Sequence, residues 1–275
     1  MERSAVFWGD NCIDMYDDPG KRRFAGGNAV NTAVHAKEAG CKTSYVGAVG
    51  SDANGRAICR KLDEKGIDVS HVQIFDAETA WTKVTLSEGE RRFIAEYPGP
   101  RDSFVVSDET DEFLLSHALI HNTWQGGTEQ ELYRLHQKNR ALISMDFGER
   151  YSEDFLKSCI ANVDIAFFSM DPDEAQNALA FAKSMNVYGP EYVVVTMGKN
   201  GSVVSQRSGM TYVCPAKVID AVDTLGAGDT YIGTFIASFV TQKPIEECMK
   251  LATEAAARNC LIFGGFEGSE IVVEE

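Results

Sequence analysis

Uninterrupted apolar runs alternate with helix-patterned stretches along most of this chain, and nothing else in the sequence constrains the fold as strongly. Residues 5–8, 43–49, 117–121, 141–146, 163–168 and 191–196 read as strands. Residues 28–37, 54–65, 129–139, 152–160 and 172–185 read as helices, with Gly40 and Gly66 placed to end the first two. A strand without polar alternation is buried on both faces, which calls for a parallel sheet with helices on either side. The expected architecture is α/β, three-layered and doubly wound. At 275 residues, with no internal repeat and no Pro- or Ser-rich linker, residues 1–275 form a single domain.

Two stretches interrupt that rhythm, residues 12–24 and 79–97. The first carries the turn signal Asp17-Asp18-Pro19-Gly20. The second reads as a β-hairpin with period-two alternation, Trp81 to Leu86 and Arg92 to Tyr97 around Ser87-Glu88-Gly89-Glu90. The two are expected to pair as a small accessory sheet, with Arg92 and Glu96 on one face.

The chain carries 26 basic and 41 acidic residues, a formal net charge of −15. Nucleic acid and anionic membrane surfaces are therefore excluded as main partners, and any anionic ligand needs locally concentrated positive potential. Seven scattered cysteines without a C-x-x-C pair, and no apolar run at the N-terminus, point to a reducing cytoplasmic setting. The five histidines do not cluster with the cysteines, so no zinc site is expected.

The most informative segment is Asp223-Thr224-Leu225-Gly226-Ala227-Gly228-Asp229-Thr230, which leads into the apolar stretch from Tyr231 to Phe239. Gly226, Ala227 and Gly228 leave backbone N–H groups uncovered where a helix begins, and such a turn binds an oxyanion. Asp229 falls in the first turn and is expected to be ionised at neutral pH, as a base for an alcohol must be. A base beside an anion hole suits phosphoryl transfer, which depends on positioning and charge stabilisation. Acidic residues also stabilise first turns by ~0.3–1 kcal/mol without any function, but that does not account for the glycines.

A second glycine segment, Gly26-Gly27-Asn28-Ala29-Val30-Asn31, allows close backbone approach, with Asn28 placed to cap the following helix. Asn31 shares the face of Asn28. Asp10, Asn11 and Asp14 follow the first strand, at the end where open α/β sheets bind ligands. Together these acids and amides suit a polyhydroxylated ligand. A third segment, Thr196-Met197-Gly198-Lys199-Asn200-Gly201, reads either as a phosphate-holding turn or as a plain hairpin turn. Neither a Walker loop nor a strand-borne G-x-G-x-x-G is present.

Taken together, these segments resemble the ribokinase-like, or PfkB, carbohydrate kinases over nearly the whole chain. Gly26-Gly27-Asn28 through Gly55 resembles the family's N-terminal signature, and Asp223 through Gly233 its specific C-terminal signature, D-T-x-G-A-G-D. The resemblance implies a ribokinase-like three-layer α/β/α sandwich with a mostly parallel central sheet and a small β-sheet lid over the sugar. It implies ATP and Mg²⁺, with a monovalent cation such as K⁺ near Asp223 in many members, and a homodimer through the lid in some. By motif, Asp229 is the base and the amides of Gly226, Ala227 and Gly228 stabilise the migrating phosphoryl group. The resemblance also places Asp10, Gly27 and Asn31 in the sugar site, to which the acids and amides above add Asn11, Asp14 and Asn28, and the hairpin adds Arg92. Thr196, Gly198, Gly201, Thr224 and Asn259 fall in the nucleotide site. The family's N-x-x-E for Mg²⁺ is altered here: Glu174 keeps the Glu, and Asp171 stands at the Asn spacing, with Ser169 as the shifted alternative.

The opening Gly9-Asp10-Asn11-Cys12-Ile13-Asp14-Met15-Tyr16, with Phe24 to Asn31, is similar to a branch of the family, the fructoselysine 6-kinases. The resemblance implies phosphorylation of the 6-hydroxyl of a fructosamine, whose cationic arm is expected to meet Asp14, Asp17 or Asp18. A fructokinase or ribokinase-type activity is the alternative, and a non-catalytic sugar or nucleotide sensor on the same fold is the alternative from another class.

Overall fold

The structure, a computed structural model, describes residues 3–17, 20–87, 90–149 and 151–271. It opens with β1 (Ser4–Trp8), β2 (Cys12–Tyr16), β3 (Arg23–Gly26), α1 (Asn28–Glu38), β4 (Lys42–Val46), β5 (Ala48–Gly50) and α2 (Ala53–Glu64). The middle of the chain forms β6 (Gln73–Phe75), β7 (Trp81–Ser87), β8 (Glu90–Tyr97), α3 (Asp108–Leu115), β9 (Leu119–Thr123), α4 (Glu129–Lys138), β10 (Leu142–Asp146) and α5 (Glu153–Cys159). It closes with β11 (Ile165–Ser169), α6 (Ala178–Asn186), β12 (Tyr192–Thr196), β13 (Ser202–Gln206), β14 (Thr211–Cys214), α7 (Ala227–Val240) and α8 (Ile245–Asn259).

The central sheet has the order β14-β13-β12-β11-β10-β9-β1-β4. It is parallel from β4 to β12 and antiparallel only at β13 and β14. Each apolar strand feeds two cores. Ala5 and Phe7 of β1 pack with α1 and α7, while Val6 and Trp8 face Leu114, Leu132 and Ile143 on the other side. Full burial of one such side chain contributes about 1.5–3 kcal/mol, which is why these strands lack polar alternation.

The two interrupting stretches do pair. A separate sheet runs β3-β2-β7-β8, with β2 parallel to β7 and the outer pairs antiparallel. Its hairpin carries a register shift: Lys83 pairs with Ala95 but Val84 with Phe93, leaving Ile94 as the extra residue. A bulge of this kind reverses the alternation beyond it. Position 92 is therefore out of phase with position 96, against the expectation of a shared face.

Two other expectations need correction. The strand expected over residues 43–49 breaks at Gly47, where a Cβ would lie 2.2 Å from the Tyr45 hydroxyl and 2.7 Å from the Gly9 carbonyl. Beyond the break β5 leaves the central sheet and pairs with β6. The helix expected over residues 172–185 starts as a 3-10 turn, Pro172–Asn177, and becomes α-helical only at Ala178.

Gly233, in the middle of α7, sets the geometry of the site. A Cβ there would lie 2.4 Å from the Thr32 carbonyl and 3.0 Å from the Ala36 amide. Glycine inside a helix costs about 1 kcal/mol relative to alanine, and here it lets α1 cross α7 at backbone contact. That crossing brings the N-terminal ends of the two helices together.

Candidate active site

Asp229 and Asn31 meet at this crossing: Asn31 Nδ2 donates to Asp229 Oδ2 at 2.8 Å. Asp229 lies in the first turn of α7, which starts from Gly226 in the left-handed region, φ 70°. A Cβ on Gly226 would lie 2.8 Å from the Gly265 carbonyl, so both conformation and space demand glycine there. A Cβ on Gly228 would meet nothing within 4 Å, so open space lies over the turn. Thr230 N closes back on the Gly226 carbonyl at 2.7 Å, and Ala227 N donates to the Thr224 carbonyl at 3.3 Å. Of the three amides expected to face an anion, that of Ala227 is thus partly engaged, whereas Gly228 sits beneath the open space.

The surroundings of Asp229 are not those of an ordinary exposed carboxylate. Burial raises its pKa well above the usual range, and Asp146, Asp10 and Asp14 add to the rise, while the Asn31 hydrogen bond opposes it. The residue is only half-buried by surface area, so water moderates the effect. Asp146, which the sequence reading did not single out, ends β10. Burial pushes it up to about 6, with Asp10 adding to the rise and the Gly148 amide opposing it. A charged residue closing an apolar strand at its C-terminal end was the available signal.

Asp10 does what was expected of Asn28. Its Oδ2 accepts from Asn28 N at 2.7 Å and its Oδ1 from Ala29 N at 3.4 Å and from the Thr123 hydroxyl at 2.5 Å. The N-cap position of α1 is Gly27, without a side-chain cap, so the helix start is held by a carboxylate from the end of β1. Asn11 turns away, its amide donating to the Tyr45 hydroxyl (3.0 Å) and the Ala48 carbonyl (2.8 Å). Gly27, φ 107°, lies so close to Asn11 that a Cβ would be 2.5 Å from its Cα; on Gly26 a Cβ would be 2.5 Å from Asp14 Oδ2. Asp14 is buried, 5% exposed, and so offers no surface carboxylate for a substrate arm. Asp17 is exposed. Asp18 and the Arg92 side chain lie outside the described residues.

Asp223 ties the turn to its neighbours. Leu225 N donates to its Oδ1 at 2.9 Å, and Gly264 N (3.2 Å) and the Tyr16 hydroxyl (3.3 Å) donate to its Oδ2. Tyr16 belongs to β2, so the small sheet bonds directly to the loop that leads into α7. Asn259 supports the same loop, Nδ2 donating to the Leu225 carbonyl at 2.9 Å; it is buried, and Thr224 is exposed.

Further along the same edge, Thr196 ends β12 with its hydroxyl 3.2 Å from that of Ser169, at the end of β11. Gly198 and Gly201 flank a 3-10 turn with positive φ, and a Cβ on Gly201 would lie 2.1 Å from the Cys214 carbonyl. Gly201 therefore also has a structural reason, the hairpin approach to β14. Asp171 and Glu174 are exposed. The Asp171 carboxylate accepts from Asp173 N, capping the 3-10 turn. Among the described residues, no cluster of three His, Cys, Asp or Glu side chains could hold a metal ion, and no helix is long and apolar enough to cross a membrane.

Comparison with known proteins agrees with this geometry. The chain is 30% identical over 262 residues to "Fructosamine kinase FrlD" of Bacillus subtilis (strain 168), covering 94% of this chain and 91% of that one. It is 30% identical over 258 residues to "Fructoselysine 6-kinase" of Escherichia coli (strain K12), covering 94% and 97%. The solved ribokinase of Arabidopsis thaliana, complexed with ribose and ATP, shares the fold with a TM-score of 0.82 at 22% identity, over 96% of this chain and 94% of that one. The family pattern described as "pfkB family carbohydrate kinase" matches residues 15–268, and the chain accordingly belongs to the PfkB carbohydrate kinases, as an ATP-dependent sugar kinase.

Proposed function

We propose that the protein phosphorylates the 6-hydroxyl of a fructosamine such as fructoselysine. The observation that carries this reading is the charge around Asp229: Asp146, Asp10 and Asp14 each add to the rise that burial gives its pKa. A neutral sugar needs one base and a few hydrogen bonds. Several carboxylates that act on one another favour a substrate with a cationic nitrogen, which the secondary amine at the first carbon of a fructosamine supplies. The similarity of the chain to fructosamine and fructoselysine kinases supports the same choice over a fructokinase or ribokinase-type activity.

In this reading Asp229 takes the proton of the accepting hydroxyl, and Asn31 fixes the carboxylate's orientation. Binding of the cationic substrate lowers the pKa that the neighbouring carboxylates raise, so Asp229 becomes a competent base when the site is filled. The Gly226–Gly228 turn and the positive end of α7 stabilise the charge of the transferring phosphoryl group. Asp14 and Asn31 line the sugar, with Asp10, Asn11, Gly27 and Asn28 shaping the wall behind them. Thr196, Gly198, Gly201 and Thr224 border the nucleotide, and Asn259 holds the loop beside it. Mg²⁺ neutralises phosphate charge when bound. Glu174, exposed at the head of the segment leading into α6, fits a hydrated cation, whereas Asp171 is spent on its cap. Asp223, already accepting three hydrogen bonds, is the residue beside which K⁺ would sit. Lid-to-lid dimerisation and a cytoplasmic location complete the reading.

The test compares kcat/KM for fructoselysine, other fructosamines, fructose and ribose, with ATP and Mg²⁺ at matched concentrations. Fructosamines are expected to be favoured. Faster turnover of free fructose or ribose than of every fructosamine overturns the substrate assignment and leaves the kinase in place.

A further inference from the structure

His35 is a buried polar residue that the proposed chemistry leaves unused, one turn of α1 beyond Asn31 and on the same face. It lies at the crossing with α7, where a Cβ on Gly233 would come 3.1 Å from its own Cβ. Its Nε2 stands 2.8 Å from the Gly265 carbonyl, in the segment that follows α8. A carbonyl only accepts, so Nε2 carries a hydrogen and donates it. On the other side of the ring, Glu38 Oε2 lies 3.2 Å from Nδ1, and Lys65 Nζ holds Glu38 Oε1 at 2.6 Å. The imidazole is thus fixed at both nitrogens.

Gly265 has two neighbours that matter to the reaction. A Cβ on it would lie 2.4 Å from Asn31 Oδ1, so its α-carbon rests against the amide that orients Asp229. Its carbonyl lies 2.8 Å from where Gly226 would carry a Cβ, so the same peptide backs the turn at the start of α7. Asn31 Oδ1 is buried without a hydrogen-bond partner. The plane of that amide is therefore set by its bond to Asp229 and by its packing against Gly265. The bond from His35 ties the Gly265 carbonyl to α1, the helix that carries Asn31.

We propose that His35 is a positioning residue for phosphoryl transfer: by holding Gly265 it keeps the Asn31 amide on Asp229 and the glycine turn in place. The proposal rests on the reading of Asp229 as the base. It has a consequence for pH dependence. Burial, with Asp146, Asp10 and Asp14, raises the Asp229 pKa, and the Asn31 bond opposes the rise. Loosening Asn31 raises that pKa further, and the acid limb of kcat/KM moves to higher pH.

The experiment compares H35Q, whose side-chain N–H falls where Nε2 stands, with H35N, whose shorter amide reaches only the Nδ1 position beside Glu38. The pH profiles of kcat and kcat/KM are measured with ATP and whichever of fructoselysine and fructose the wild type turns over faster. H35N is expected to lower kcat by about tenfold and to raise the acid limb by about half a unit or more. H35Q should stay within about threefold of the wild type, with its limb in place. Both variants remove the imidazole, so a difference between them reports the bond to Gly265. A misfolded fraction lowers the whole profile without moving its limb. An unmoved limb in H35N, or equal losses in both variants, overturns the positioning role while Asp229 stands as the base. A near-normal kcat in D229N, measured alongside, overturns the base assignment itself.

Discussion

Asn31 and Asp229, 198 residues apart in sequence, are joined by a 2.8 Å hydrogen bond at the crossing of α1 and α7. The contact depends on Gly233, where any side chain would drive the helices apart. It gives the carboxylate one defined orientation, with Asn31 Nδ2 on one oxygen. Asp229→Asn is expected to lower kcat by at least ~10²-fold, the lower end for loss of a general base, while sugar and ATP still bind. Steady-state kinetics with binding titrations check this. A near-normal kcat would reduce Asp229 to a helix-dipole residue.

The glycines of the two motifs should separate by phenotype. Gly228→Val is expected to fold, since nothing lies within 4 Å of the added Cβ, and to lose most activity because the side chain covers the turn. Gly27→Ala should instead destabilise by roughly 1–3 kcal/mol through its φ of 107° and the clash with Asn11. Thermal unfolding and kcat measured on both variants test the contrast, which the reverse pattern would refute.

The acidic cluster predicts two pH effects. A carboxylate whose folded pKa is raised binds its proton more tightly folded than unfolded. Asp146, at about 6, therefore contributes stability at low pH that is lost as pH rises from about 4 to about 6, roughly 3 kcal/mol in all. Asp146→Asn should raise Tm by several degrees at pH 7 and hardly at pH 4. Asp229 must be ionised to act, so the acid limb of kcat/KM should fall above the ordinary carboxylate range near ~4. A limb at or below that value would remove the influence of the neighbouring carboxylates.

The bond from Tyr16 to Asp223 links the small sheet to the loop entering α7. If the sheet closes over sugar, amides of β7 and β8 should exchange more slowly when sugar binds. Tyr16→Phe should reduce that protection and raise the sugar KM by about 2- to 10-fold, the scale of one ordinary hydrogen bond of about 0.5–1.5 kcal/mol. Hydrogen exchange unchanged on sugar binding would argue against a lid.

The layered α/β architecture, the accessory sheet and the motif around Asp229 were legible in the sequence, because each has a local cause. Unbroken apolar runs require burial on both faces, period-two alternation marks a hairpin, and consecutive small residues before an apolar helix expose amides. Where local propensity was overruled, the cause was a distant partner. Gly47 ends β4 because Tyr45 and Gly9 occupy its side-chain space, and the bulge at Ile94 moves position 92 out of phase with position 96. Asn28 looked like a cap, but Asp10 reaches the helix first from a neighbouring strand end. The raised pKa of Asp229 depended wholly on tertiary structure: burial at the helix crossing raises it first, and Asp146, Asp10 and Asp14, from separate segments, add to the rise, since a pKa responds to surroundings close in space whatever their separation along the chain.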